Sequence, residues 1–247
     1  MKIITLGTGH GSATATNMSS ATYLQCGDKT YLVDCADGTD FAMMQKHLVP
    51  SEITAVFVTH LHLDHTGGLP VMMKRMLKEE GQAATILLPD TRIAPIMEQW
   101  IGFQGFAPKL ERKPFTYIDS LEGYNDGTVE VKAFPTEHMA SAGKPSYAYT
   151  VKGEGKKICF TGDLRFGTCS DFPVEAADGS DLVICELTHF RLDAVWPYLE
   201  KLNIKALVFN HLGNWSQVPE EQEQIREKCK ELPYPVTIAY DGMEIEL

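Results

Sequence analysis

The chain has 247 residues, a formal net charge of −11 and ordinary proportions of hydrophobic and charged residues. That length allows one large domain or two small halves around a substantial core, and the acidic balance argues against a broad basic surface for nucleic acid. No apolar run approaches the roughly 20 residues of a membrane helix.

The first residues, Met1–Gly7, are too short and too soon interrupted for a signal peptide. They read instead as a strand over Ile3–Leu6, followed by the loop Gly7–Gly11, whose His10 can reach a cleft. Strands are then predicted at Ala21–Gln25 and Tyr31–Val33, with Asp34 directly after the second. A helix over about 40–48 and a strand over Ala55–Val58 follow. Gly67 and Gly68 are expected to let the backbone bend before a helix over Leu69–Glu80, whose Met72, Met73 and Met76 suit a core or an interface. Thr85–Leu88 is a strand and 92–100 a helix. The stretch Gln99–Gly123 has little pattern beyond a strand at Phe115–Ile118, and reads as a loop shaping a site or as a contact between two copies of the chain.

Strands continue at Val129–Phe134, Tyr147–Val151, Ile158–Phe160, Leu182–Cys185, Leu207–Phe209 and Val236–Ala239. Helices are predicted over 192–202, with Asp193 as a cap, and over 219–231, with Pro219 in its first turn. Strands dominate both halves and helices are interspersed, so an α/β protein of two stacked sheets flanked by helices fits best, as a single domain over 1–247. A repeat between the halves cannot be demonstrated from the sequence. The six cysteines form no CxxC pair and most lie in or beside apolar strands, as small buried thiols. A cytoplasmic protein without disulfides is expected.

The chemistry is concentrated in His60-Leu61-His62-Leu63-Asp64-His65, where an apolar strand ends. Four metal-ligating side chains within six residues exceed what packing can use. In an extended segment alternate residues share a side, so His60 and His62 can converge on one ion. Asp64 and His65, where the chain turns toward a helix, can face a second. Imidazole and carboxylate suit Zn²⁺, with Mn²⁺ and Fe²⁺ also accommodated. Three further candidates, His138, Asp163 and His211, each follow an apolar strand, as Asp64 does. A bound pair of divalent cations points to hydrolysis.

With Asp34, these motifs span nearly the whole chain and resemble those of the metallo-β-lactamase-fold hydrolases. The resemblance implies a four-layer αββα sandwich with a dinuclear site at one edge. It implies one ion on His60, His62, His138 and Asp163, and a second on Asp64, His65, Asp163 and His211, with Asp163 bridging. Asp34 is not a ligand in that family and is expected to support the ligand segment by hydrogen bonds.

Leu6-Gly-Thr-Gly9 and the ending Ala239–Glu246 resemble the ribonuclease Z-like branch. There an additional histidine assists the departing group, and His189, 22 residues before His211, matches its spacing. Arg191 departs from the Ser or Thr usual two places after that histidine, and Glu186 stands closer to it than the family's acidic residue. A strand-end histidine with a structural hydrogen bond is the other reading of His189. Arg165 and Arg191 are candidates to hold a phosphate, or to pair with acidic neighbours.

The inserted basic arm of the tRNA-processing members is not found, which favours a small phosphodiester over tRNA as substrate. Asp64 is expected to orient the attacking water and His189 to protonate the departing oxygen. Hydrolysis of a carboxylic ester, lactone or thioester is the alternative within enzymes. A metal-binding scaffold without activity is the alternative outside them. A homodimer is what the resemblance suggests, and no membrane association is expected.

Overall fold

A computed structural model of the chain describes residues 1–12, 14–78, 83–112 and 114–247. Six strands come first: β1 Lys2–Gly7, β2 Ala21–Cys26, β3 Lys29–Val33, β4 Ile53–Phe57, β5 Ala84–Leu88 and β6 Phe115–Asp119. Seven follow: β7 Tyr124–Asn125, β8 Glu130–Thr136, β9 Ser146–Gly153, β10 Lys156–Phe160, β11 Leu182–Leu187, β12 Leu207–Leu212 and β13 Val236–Ile238. The last strand, β14 Met243–Glu246, returns to pair with β1. Among the described residues these make two seven-stranded sheets, ordered β14-β1-β2-β3-β4-β5-β6 and β13-β12-β11-β10-β9-β8-β7.

The two sheets share one layout. In the first, the strands from β14 to β3 pair antiparallel, and those from β3 to β6 pair parallel. In the second, β7 to β10 are antiparallel and β10 to β13 parallel. The internal similarity that the sequence could not demonstrate is therefore present in the topology. Parallel strands need crossovers, and helices supply most of them: α1 Thr39–Gln45 and α3 Leu69–Lys78 on the first sheet, α7 Leu192–Leu199 and α8 Pro219–Cys229 on the second. The short α2 Leu63–Thr66 precedes α3, α4 Ala94–Ile101 and α5 Ala107–Leu110 lie between β5 and β6, and α6 Val174–Ala177 precedes β11. No helix among the described residues is long and apolar enough to cross a membrane.

Side-chain alternation along the strands builds three apolar layers. Ile3, Leu24, Tyr31 and Phe57 of the first sheet meet Val131, Tyr149, Ile158 and Ile184 of the second. Their neighbours Ile4, Tyr23, Leu32 and Val56 face outward, onto Met43 of α1 and Met72, Met73 and Met76 of α3. On the far side, Cys159, Val183, Cys185 and Phe209 pack against Val195 and Trp196 of α7 and Ile225 of α8. Helix, sheet, sheet, helix is the four-layer αββα sandwich that was expected. All six cysteines are buried and free.

Several local readings change. The helix expected to Glu80 is described to Lys78, and residues 79 and 80 lie outside the described residues. Asp193 does not cap α7: Arg191 holds the cap position and Asp193 lies in the first turn, where its charge still favours the helix N-terminus. Pro219 does open α8. Gln99–Gly123 is no long loop. The end of α4, a turn of π-helix at Gly102–Phe106, α5 and β6 fill most of its described part. Gly105, at φ +91°, breaks these pieces below the length at which a helical period shows. Trp100 and Phe103 stand exposed on this stretch. At Gly68 space is the requirement, not left-handed backbone. Its φ is not positive, and a Cβ there would lie 2.0 Å from the Ala36 carbonyl oxygen, so the position needs the missing side chain.

Candidate metal centre

Each candidate ligand lies near or just beyond the C-terminal end of a strand, and the shared layout brings those ends to one edge of the sandwich. His60, His62, Asp64 and His65 leave β4, His138 leaves β8, Asp163 leaves β10, and His211 lies in β12. Hydrogen bonds from Tyr149 Oη to the Val58 carbonyl and from the Tyr147 amide to the Thr59 carbonyl, each 2.9 Å, join the two sheets beside the site. Asp163 is reached through Gly162 at φ +58°, where a Cβ would come within 2.5 Å of the Tyr147 carbonyl oxygen.

His211 is placed by a bulge. Glu186 pairs with Asn210 and Leu187 with Leu212, so His211 is the extra residue of β12. It takes φ +47°, a conformation costly for a residue with a side chain, and leaves the strand's alternation. Its carbonyl oxygen accepts a hydrogen bond from Thr188 Oγ1. Asp34, at φ +60°, is the matching irregularity after β3.

One atom lies at the centre. Asp163 Oδ2 is 3.3 Å from both His65 Nε2 and His211 Nε2, and 3.6 Å from both His60 Nε2 and His138 Nε2. His62 Nδ1 lies 3.0 Å from His60 Nε2 and 3.2 Å from His138 Nε2. Asp64 Oδ2 lies 3.6 Å from His65 Nε2 and 3.7 Å from His211 Nε2. Two groups of four thus share Asp163: His60, His62, His138 and Asp163, and Asp64, His65, Asp163 and His211.

The chemistry of these atoms fits cations. Asp163 Oδ2, His65 Nε2 and His211 Nε2 are buried without hydrogen-bond partners among the described residues. Unpaired buried polar atoms are costly and rare, and converging imidazole nitrogens around a carboxylate oxygen are what a Zn²⁺-type ion takes. Burial works against ionisation of Asp163, but the surrounding His211, His65 and His60 hold its carboxyl well below the usual range. Burial and the neighbouring His65 push His60 well below the usual imidazole range, and burial also lowers His138.

The ligand segment is braced from behind. Asp34 Oδ2 lies 2.7 Å from His65 Nδ1, and Asp34 Oδ1 accepts from the Thr59 amide at 2.8 Å. Thr59 Oγ1 lies 3.0 Å from Asp34 and 3.1 Å from His60 Nδ1. The Leu164 carbonyl meets His138 Nδ1 at 3.2 Å.

His189 stands against the same centre. Its ring is 4.6 Å from that of His138, and its Nδ1 lies 2.9 Å from Glu186 Oε2 and 3.8 Å from Asp163 Oδ2. Glu186 is buried and also accepts from the amides of Leu164, Thr188 and His189 at 2.7, 3.0 and 3.0 Å. Burial lowers the His189 pKa, but the hydrogen bond and charge of Glu186, aided by Asp163, outweigh it and raise the value to about 9.

The other candidates have partners elsewhere. Both nitrogens of His10 are engaged, Nε2 with Asn214 Oδ1 at 2.8 Å and Nδ1 with the Ser12 amide at 3.1 Å. Arg165 Nη1 donates to Glu137 Oε2 at 2.7 Å from an exposed position. The Arg191 guanidinium lies 4.3 Å above the Trp215 ring, with Nη1 3.8 Å from Glu221.

Two residues carry more than the sequence reading gave them. Glu186 departs from the family's spacing, yet a carboxylate inside the buried strand Leu182–Leu187 is itself a signal. Thr59, a polar residue between the apolar strand and His60, links Asp34 to the ligand segment.

The family model of the anti-Pycsar protein Apyc1 matches residues 1–183. The anti-Pycsar protein Apyc1 of Paenibacillus harenae is 28% identical over 186 residues, which are 72% of this chain and 73% of that protein. Ribonuclease Z of an Exiguobacterium strain is 27% identical over 169 residues, 66% of this chain. The match spans about half of that enzyme's length, 53%. The metallo-β-lactamase-fold protein YhfI of Bacillus subtilis superimposes with a TM-score of 0.79 at 18% identity, covering 100% of this chain and 99% of that one. The chain belongs to the family of the anti-Pycsar protein Apyc1, on the metallo-β-lactamase fold and with ribonuclease Z-like relatives.

Proposed function

We propose that the protein is a metal-dependent hydrolase that uses a dinuclear site to cleave a small phosphodiester. The convergence of buried, unpartnered nitrogens on Asp163 Oδ2 carries this reading. The ribonuclease Z relative favours a phosphodiester over a carboxylic ester. His60, His62, His138 and Asp163 would hold one ion, and Asp64, His65, Asp163 and His211 the other, zinc being the ion this donor set suits best. When bound, such a pair supplies an acidified water and Lewis acidity at the electrophile.

The chain's own residues do the rest. Asp64 accepts a hydrogen bond from the attacking water and orients it toward phosphorus. His189, tethered through Nδ1 to Glu186, offers Nε2 to the departing oxygen and gives it a proton. Arg165 and Arg191 are available to meet phosphate oxygens once released from Glu137 and Glu221.

Zinc- or manganese-loaded protein assayed on bis-p-nitrophenyl phosphate, lactones and thioesters tests the reading. Metal-dependent turnover of the phosphodiester, lost in Asp64→Ala, is the expected result. Turnover of lactones or thioesters alone would replace the substrate class, and tight metal binding with no turnover would make the protein a scaffold.

A further inference from the structure

Three of the buried or half-buried histidines facing Asp163 are held from behind by the protein. Asp34 holds His65, Thr59 Oγ1 meets His60 Nδ1, and the Leu164 carbonyl meets His138 Nδ1. Such contacts fix which ring nitrogen carries the hydrogen and turn the other's lone pair toward the ion. His211 lacks one. Its Nδ1 is buried with no partner among the described residues, on a residue 3% exposed. The adjacent Asn210, 5% exposed, has its carboxamide oxygen in the same condition. A buried donor and a buried acceptor left unmade would cost about 1–3 kcal/mol each.

Both residues line one cavity of about 30 Å³ between the sheets, together with Ser20, Thr22, Val33 and Phe160. His65, Asp163 and Asp34 line it too, while His60, His62, Asp64 and His138 do not, so it runs from between the sheets to the inner side of the second group of donors. Its volume exceeds the roughly 10–15 Å³ that one water requires, and its polar walls suit one.

We propose that Asn210 is a positioning residue for His211 and acts through a buried water. His211 Nδ1–H donates to the water oxygen, the water donates to Asn210 Oδ1, and its second hydrogen serves the Ser20 or Thr22 hydroxyl. With its hydrogen fixed on Nδ1, His211 presents the Nε2 lone pair 3.3 Å from Asp163 Oδ2, where the donor set converges. The effect on the ion rests on the metal reading above; the water does not.

A crystal structure of the wild-type protein, with chelator-competition titrations of zinc for wild type, Asn210→Leu and Asn210→Asp, tests both parts. The structure should show a water about 2.7–3.2 Å from both His211 Nδ1 and Asn210 Oδ1. Asn210→Leu should weaken zinc about 10–100-fold, and Asn210→Asp, which keeps an acceptor, should stay within about threefold of wild type. A dry cavity, or a protein acceptor on His211 Nδ1, overturns the water, and this holds even if the leucine variant fails to fold. A folded leucine variant with wild-type zinc affinity overturns the role of Asn210 alone. Wild-type protein that takes up no zinc overturns the metal reading and the effect on the ion, leaving the water to the density.

Discussion

Asp34 Oδ2 lies 2.7 Å from His65 Nδ1 while its other oxygen takes the Thr59 amide at 2.8 Å, so one carboxylate clamps the two ends of the ligand segment. Asp34→Ala should weaken zinc about 10–100-fold, read by chelator competition. Asp34→Asn keeps an acceptor for Thr59 and should lose less. Equal affinity in wild type and the alanine variant would show that His65 needs no orienting partner.

Asp64 is half-buried, so its change to Asn should leave the melting temperature near wild type. It should lower kcat on bis-p-nitrophenyl phosphate by about 10²–10⁴-fold, the range for a lost acid–base group. Excess chelator should abolish wild-type turnover, and Zn²⁺ or Mn²⁺ should restore it. Undiminished kcat in Asp64→Asn would remove Asp64 from the step.

The Glu186–His189 pair makes a prediction about leaving groups. A proton donor matters little when p-nitrophenolate departs and much when an alkoxide departs. His189→Gln should therefore cost less than about tenfold on bis-p-nitrophenyl phosphate and about 10²–10⁴-fold on a dialkyl ester. Glu186→Gln should move in the same sense. Equal losses on both substrates would assign His189 a structural hydrogen bond.

Away from the site, Asp126 accepts from Tyr31 Oη at 2.9 Å, Lys29 Nζ at 3.0 Å and the Thr128 and Val129 amides at 2.9 and 3.0 Å. Burial opposes its ionisation, but the Val129 amide, Lys29, the Thr128 amide and Tyr31 outweigh that and hold the pKa at about 2, below the ordinary 3.8. A depressed carboxyl stabilises the fold above its unfolded pKa and loses that contribution as pH falls through the folded value. Relative to Asp126→Asn, wild type should gain about 1–2 kcal/mol at pH 7, the shift being discounted for solvent screening. The gain should vanish between about pH 4 and 2, as followed by urea denaturation. A pH-independent difference would locate the effect in packing.

Gly68→Ala would press a methyl carbon against the Ala36 carbonyl at 2.0 Å. Backbone on both sides leaves no flexible group to yield, so a loss of about 3 kcal/mol or more is expected. Thermal denaturation with and without zinc would register it, and an unchanged melting temperature would contradict the seating of this segment.

What the sequence shows here follows physical range. The short apolar runs of β1 to β4 and the His60–His65 cluster are local, and both are legible. The four-residue helices α2, α5 and α6 and the two-residue β7 are too short to show a period, and β14 mixes Met and Ile with Glu at an edge. The partners of Arg165, Arg191 and His10 are 28, 24 and 204 residues away, at Glu137, Trp215 and Asn214, and no spacing encodes them. Glu186 is visible in the sequence, but its meaning depends on the turn that brings His189 back onto it.

The donor set is divided between the layers: His60, His62, Asp64 and His65 leave the first sheet, while His138, Asp163 and His211 belong to the second. Neither half could assemble the centre alone, however well it folded. The centre is a seam, and it closes only when both halves are stitched in register by contacts such as Tyr149 to Val58. Fragments cut between β6 and β7 would each carry an open hand of donors, and only their reunion would make a grip.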